Sequence, residues 1–173
     1  MMSYVMVDIE TDGPIPVDYS MICFGAVIVD ETLSKRFYGQ LQPISEQWIP
    51  ESLNISGFSR DETLRFDDPK EVMIKFNDWL QLNRRNNLVF ISDNNGFDWQ
   101  FINYYFHHFL GNNPFGHSSM NLGSLYKGLV KNMSFNFKHL RKMKHTHNPV
   151  DDAIGNAQAF LYMKTDMGLK LTL

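Results

Sequence analysis

The sequence predicts an α/β fold, a mixed sheet covered by helices on both faces. Two observations point there. Up to residue 41 the chain reads as three strands with no helix between them, and beyond it helical and strand-like stretches alternate. In addition, residues 88–91 form a short, wholly apolar run of the kind that fills an interior position in a sheet.

The first strand covers residues 3–9, where Tyr4-Val5-Met6-Val7 precedes Asp8. Residues 21–29 form the second, rich in β-branched and apolar side chains. A short polar connection leads to a third strand over 35–41, paired with the second as a hairpin. Residues 43–67 show little periodicity and read as an extended surface segment. Asp68-Pro69-Lys70-Glu71 opens a helix, with an N-cap Asp, Pro at the first helical position and Glu at the third. Met73, Phe76 and Leu80 give it an apolar stripe. After a polar turn at 83–87 and the strand at 88–91, a helix over 97–110 carries Phe97, Phe101, Tyr105 and Phe109 on one side. Residues 111–116 break it, and 122–131 and 135–144 both read as helices. The last helix covers about 149–164, opening with Asp151 and Asp152 and carrying Ala153, Ala157, Phe160 and Leu161.

A chain of 173 residues with 43% hydrophobic content suits one domain over residues 1–173. The longest apolar run, 21–29, is too short to span a bilayer, so no membrane partner is expected. The N-terminus lacks a signal-peptide pattern, and Cys23 is the lone cysteine, so the expectation is a cytoplasmic protein without an internal disulfide. The net charge is −3, so a polyanionic substrate would have to be held by bound cations or a local basic patch.

Chemistry enters with the carboxylates. Side chains alternate across a strand, so Asp8 and Glu10 emerge on one face while Val5, Val7 and Ile9 take the other. Adjacent carboxylates repel unless a cation lies between them. Asp98 follows the strand at 88–91, and Asp151 and Asp152 open the last helix, with His147 just before. Singly, each has a structural explanation: an Asp at a helix start complements the dipole. Together they put acidic groups at the ends of several elements, where a scaffold presents side chains to one cleft.

The chain resembles the DEDDh 3′–5′ exonucleases. Their D-x-E-T motif is matched by Asp8-Ile9-Glu10-Thr11, extended by Asp12-Gly13. Their N-x-x-F-D motif is matched by Asn94, Phe97 and Asp98. Their third motif, a His five positions before an Asp followed by Ala, is matched by His147, Asp152 and Ala153. The motifs run from residue 8 to residue 153, nearly the whole chain. Two positions depart: Asp93 stands where many relatives have His, and Ser56 where many carry the His of a His-Gly-Ile-Thr-like segment that contacts substrate in several of them.

The resemblance implies a ribonuclease H-like fold: a mixed five-stranded sheet, its first three strands antiparallel, flanked by helices. It implies a metal-dependent 3′–5′ exonuclease that hydrolyses phosphodiester bonds at the 3′ ends of single-stranded RNA or DNA and releases nucleoside 5′-monophosphates. Oxygen donors favour Mg²⁺ or Mn²⁺, two ions about 4 Å apart in such sites. Asp8 would bridge both, Glu10 and Asp152 would complete the site of the attacking water, and Asp98 would hold the second ion. His147 would take the proton, since histidine titrates near neutrality.

Thr11, Asn94, Phe58, Lys138 and Arg141 are the substrate-binding candidates. Lys138 and Arg141 belong to a basic stretch, 138–145, that either tracks a phosphate backbone or forms a solvated helix face. Phe58, Trp99 and Tyr104 either stack on bases or pack within the protein. Relatives of this size are often dimeric, so a homodimer is an expectation. The alternatives are a non-catalytic nucleic-acid or protein-binding module on the same fold and a polymerase-associated proofreading subunit.

Overall fold

The structure is a computed structural model that describes residues 2–171. Its sheet has five strands in the order β3-β2-β1-β4-β5. They are β1 (Met2–Thr11), β2 (Met21–Ile28), β3 (Arg36–Gln40), β4 (Asn87–Ser92) and β5 (Ser119–Asn121). The first three run antiparallel, whereas β4 is parallel to β1 and β5 to β4. Strand β4 is therefore interior, as its apolar sequence predicts. The location of β5 was not legible: three half-buried residues, paired with Phe90, Ile91 and Ser92, carry no periodicity.

Helices α3 (Pro69–Asn83) and α4 (Asn95–Leu110) cover one sheet face, and α5 (Leu122–Val130) and α6 (Pro149–Thr165) cover the other. Alternation along β1 sorts its residues between them. Val5, Val7 and Ile9 enter the core with Phe76, Phe101 and Tyr105. Tyr4 and Met6 enter the second core with Leu122, Ala157 and Phe160. Asp8 and Glu10 continue that second stripe at the carboxyl end of β1, where the apolar row turns acidic. Asp68 caps α3 through the Glu71 amide, as the sequence predicts.

Two expectations are corrected. Residues 43–67 are not merely extended: they hold α1 (Pro50–Ser56) and α2 (Arg60–Thr63). Both are too short to show an apolar stripe, but their ends are marked. Pro50 sits at the start of α1, Gly57 closes it at φ 78°, and Ser59 and Glu62 form a reciprocal capping box on α2. Residues 135–144 are not a helix; they contain one 3₁₀ turn, Lys138–Leu140. This segment buries Phe137 alone, and the Lys142 and Met143 amides donate to the Gln158 side chain instead of a preceding carbonyl. A stretch without an apolar stripe has little to drive helix formation.

The candidate site follows from topology. Strands β1 and β4 are parallel neighbours, so their carboxyl ends lie side by side, where open α/β sheets present ligands. Helix α4 starts directly beyond β4. Helix α6 reaches the same place because Gly25, paired with Asp8 across the sheet, leaves room for it. A Cβ on Gly25 would stand 2.4 Å from the Pro149 carbonyl carbon and the Val150 nitrogen.

Candidate active site

A cavity of about 520 Å³ opens at the carboxyl ends of β1 and β4. Strand β1 lines it with Asp8 and Glu10, and the turn after β4 with Asp93, Asn94, Phe97 and Asp98. The segment before α6 closes it with Phe137, Lys138, Arg141, His145 and His147. Asp152, in the first turn of α6, is buried and stands close enough to raise the proton affinity of both β1 carboxylates. The sequence motifs thus converge in space. Asp152 faces the β1 carboxylates, whereas half-buried Asp151 is absent from the cavity lining.

Burial dominates the electrostatics. Asp8, Glu10, Asp98 and Asp152 are 8%, 9%, 3% and 1% exposed. Loss of water, then repulsion from Asp98, Asp93, Glu10 and Asp152, pushes the Asp8 carboxyl well above its ordinary range. Burial, then Asp152, pushes Glu10 up to about 7. Burial is also the largest influence on Asp98, raised to about 8; the Ser92 hydroxyl pulls it down, and Asp93 and Glu10 push it up. The Asp98 Oδ2 is buried with no hydrogen-bond partner.

Asp152 is held differently. Its Oδ1 accepts from the Thr146 amide at 3.1 Å, and its Oδ2 from the His147 amide at 2.9 Å. His145 Nδ1 lies 2.9 Å from the same Oδ2. These bonds draw the loop before α6 over the carboxylate. His147 adopts a left-handed backbone, φ 60°, which a non-glycine residue holds only when its surroundings impose it. Its half-exposed ring packs on His145, centroids 4.3 Å apart, with Nδ1 3.8 Å from Glu10 Oε1. Asn148 caps α6 by accepting from the Val150 and Asp151 amides, and Pro149 follows at the first helical position.

The substrate-binding candidates divide. Asn94 is exposed on the cavity rim, its side chain free of any capping bond to α4. Lys138 is an exposed cation on the rim. Arg141 lines the cavity, but its side chain is 7% exposed and its guanidinium is paired with Asp93 at 2.8 Å. Thr11 lies in an adjoining cavity of about 220 Å³ with Glu10, Gly13, Pro14, Ser52, Ile55 and Phe97, and donates to the Gly13 carbonyl. Phe58 lines neither cavity; its ring meets Phe66 edge-on. Trp99 packs on Phe90 and Phe115, and Tyr104 stacks on His108.

Sequence reasoning did not single out Asp93 and His145 as site residues, although both line the cavity. It placed Phe97 on the helix's apolar side and in the second motif but not in the site, whereas Phe97 borders both cavities. Asp12, one step past the first motif, is buried. It accepts from Arg60 at 2.8 Å and caps the Ser20 amide, tying the end of β1 to α2.

The cavity's donors fit a hard divalent cation. They are carboxylate oxygens, clustered, buried and lacking enough basic partners, with one oxygen wholly unpartnered. Among the described residues, no three such side chains already enclose an ion-sized gap. A cation would draw the carboxylates together against their repulsion.

An RNase T exonuclease family model matches residues 5–160. The chain belongs to the RNase T exonuclease family. A 3′-5′ DNA exonuclease, Cap18, of Escherichia coli is 44% identical over 130 residues, covering 73% of this chain and 68% of that one. Among solved structures, cell-death related nuclease 4 superposes with a TM-score of 0.75 at 16% identity, over 94% of this chain and 63% of that one. The chain thus spans less than two thirds of that nuclease. The nuclease domain of 3′hExo, a DEDDh family member bound to rAMP, gives a TM-score of 0.67 at 16% identity, over 99% and 96% of the two chains. These neighbours share the ribonuclease H-like fold. Among the described residues, no helix is long and apolar enough to cross a membrane.

Proposed function

We propose that this exonuclease-family chain removes nucleotides from the 3′ ends of single-stranded nucleic acid, releasing nucleoside 5′-monophosphates, with DNA as its favoured polymer. The observation that carries the reading is the single cavity that gathers Asp8, Glu10, Asp98 and His147 beside buried Asp152. The preference for DNA rests on the 44% identity to a DNA exonuclease.

Asp8, Glu10, Asp98 and Asp152 would hold Mg²⁺ or Mn²⁺, a pair by analogy with two-ion phosphodiester sites. Bound there, the ions supply positive charge at the phosphate and lower the pKa of water. His147 stands at the mouth of the cavity, where its imidazole takes the proton from the attacking water. Its ring is half exposed and reaches toward Glu10, so an attacking water beside Glu10 is within its range. The cavity beside Thr11 and Phe97 receives the terminal nucleoside, with Phe97 and Ile55 offering apolar surface to the base. Lys138 meets the phosphate backbone as it leaves.

The test uses 5′-labelled single-stranded DNA and RNA with Mg²⁺, Mn²⁺ or chelator. The expected result is a ladder shortening one nucleotide at a time from the 3′ end, faster on DNA and stopped by chelator. Asp8→Ala and His147→Ala lose the activity. Labelled strands that stay at full length, for both polymers and with both metals, would remove the proposal.

A further inference from the structure

Residues 131–148 connect α5 to α6 with one 3₁₀ turn and carry His147. At the His147 end they are held by the Thr146 and His147 amides on Asp152. Arg141 supplies another anchor, six residues before His147. Its NH2 group lies 2.8 Å from Asp93 Oδ2 on the turn after β4, across the cavity. Its carbon stem runs past Gly155 of α6, where an added Cβ would come within 3.6 Å of Arg141 Cδ. Its guanidinium sits over the Phe137 ring at 5.3 Å, and its Nε is buried without a partner. Asp93 is fixed in turn: its carbonyl accepts from Asn121 Nδ2 at 2.9 Å, and Asn121 caps α5.

Resting on the exonuclease reading above, we propose that Arg141 and Asp93 form a positioning clamp that fastens the loop before α6 to the turn after β4 and so fixes where His147 stands. Three observations favour this over a direct phosphate contact. The Arg141 side chain is 7% exposed, and its guanidinium is already engaged by a carboxylate. The left-handed backbone at His147 needs restraint from outside. Asp93 is an extra carboxylate at a cavity already rich in them, and Arg141 offsets its charge.

Arg141→Ala, Arg141→Lys, Asp93→Asn and the Arg141→Ala/Asp93→Asn double variant test the clamp. Amide hydrogen exchange over 142–147 in the metal-free protein is the first readout and does not depend on activity. It accelerates in both alanine- and asparagine-bearing single variants, less in Arg141→Lys. The second readout is steady-state hydrolysis of single-stranded DNA with Mn²⁺. Both single variants lose kcat on the order of 10- to 100-fold with KM little changed, since a displaced base slows chemistry without weakening binding. The double variant is no worse than either, because one interaction has been removed once.

A raised KM in Arg141→Ala alone, with unchanged exchange and a silent Asp93→Asn, would make Arg141 a phosphate contact and overturn the clamp. If Arg141→Ala does not fold, Asp93→Asn and Arg141→Lys decide by the same readouts. Wild-type protein inactive on both polymers counts against the exonuclease reading, while the exchange result still decides the clamp.

Discussion

Glu10 and Asp98 keep their protons to about pH 7 and about pH 8, against ordinary values of 4.5 and 3.8, because the surrounding elements exclude water from them. Between those limits the folded chain binds protons that the unfolded chain has already released. Stability of the metal-free protein therefore falls as pH rises through this window. The melting temperature in chelator is expected to drop from about pH 5 to about pH 8 in wild type and less in Asp98→Asn, which has no proton to lose there. Because metal ligands must be deprotonated, stabilisation by Mn²⁺ should grow over the same range. Identical pH profiles for wild type and Asp98→Asn would refute the assignment. At this scale the acids and His147 were legible, since their types and order form motifs. Asp93, His145 and the pairing of Arg141 were not, because they join through contacts between distant parts of the chain.

Helix α6 carries Asp152 to β1 only because a glycine faces it. Gly25→Ala would force a methyl group to within 2.4 Å of the backbone at Pro149 and Val150, which no rotamer change relieves. The expected cost is about 1–3 kcal/mol in chemical denaturation, with a further loss of activity as Asp152 moves away from Asp8. A variant with wild-type stability and activity would show that α6 needs no such close approach. Long elements were readable because they bury a stripe: α3 buries Met73, Phe76 and Leu80 as the sequence predicts. The short helices α1 and α2 were missed for want of a stripe, though Pro50, Gly57 and the Ser59–Glu62 capping box mark their ends. The apparent helix over 135–144 failed for the converse reason: favourable residues there bury too little to be held as a helix.

Across the whole molecule, a chain with 16 Lys and Arg against 19 Asp and Glu would meet the polyanion of the proposed function with no excess of basic charge. Bound metal ions would reverse the local field of the cavity, and Lys138 is an exposed cation at its rim. Lys138→Ala is expected to raise KM for single-stranded DNA with kcat preserved. It should also make the dependence of log KM on log salt shallower by about 0.7, the contribution of one single-strand phosphate contact. An unchanged salt dependence would place the phosphate path elsewhere.

On the proposed function, the carboxylates of β1, α4 and α6 form one divalent-cation site. A crystal soaked in Mn²⁺ and recorded for anomalous scattering tests it most directly. Manganese density is expected in direct contact with Asp8, shared with Glu10, Asp98 or Asp152, at about 2.0–2.2 Å, the range for small hard cations. Manganese bound elsewhere on the protein, with these carboxylates left uncoordinated, would contradict it.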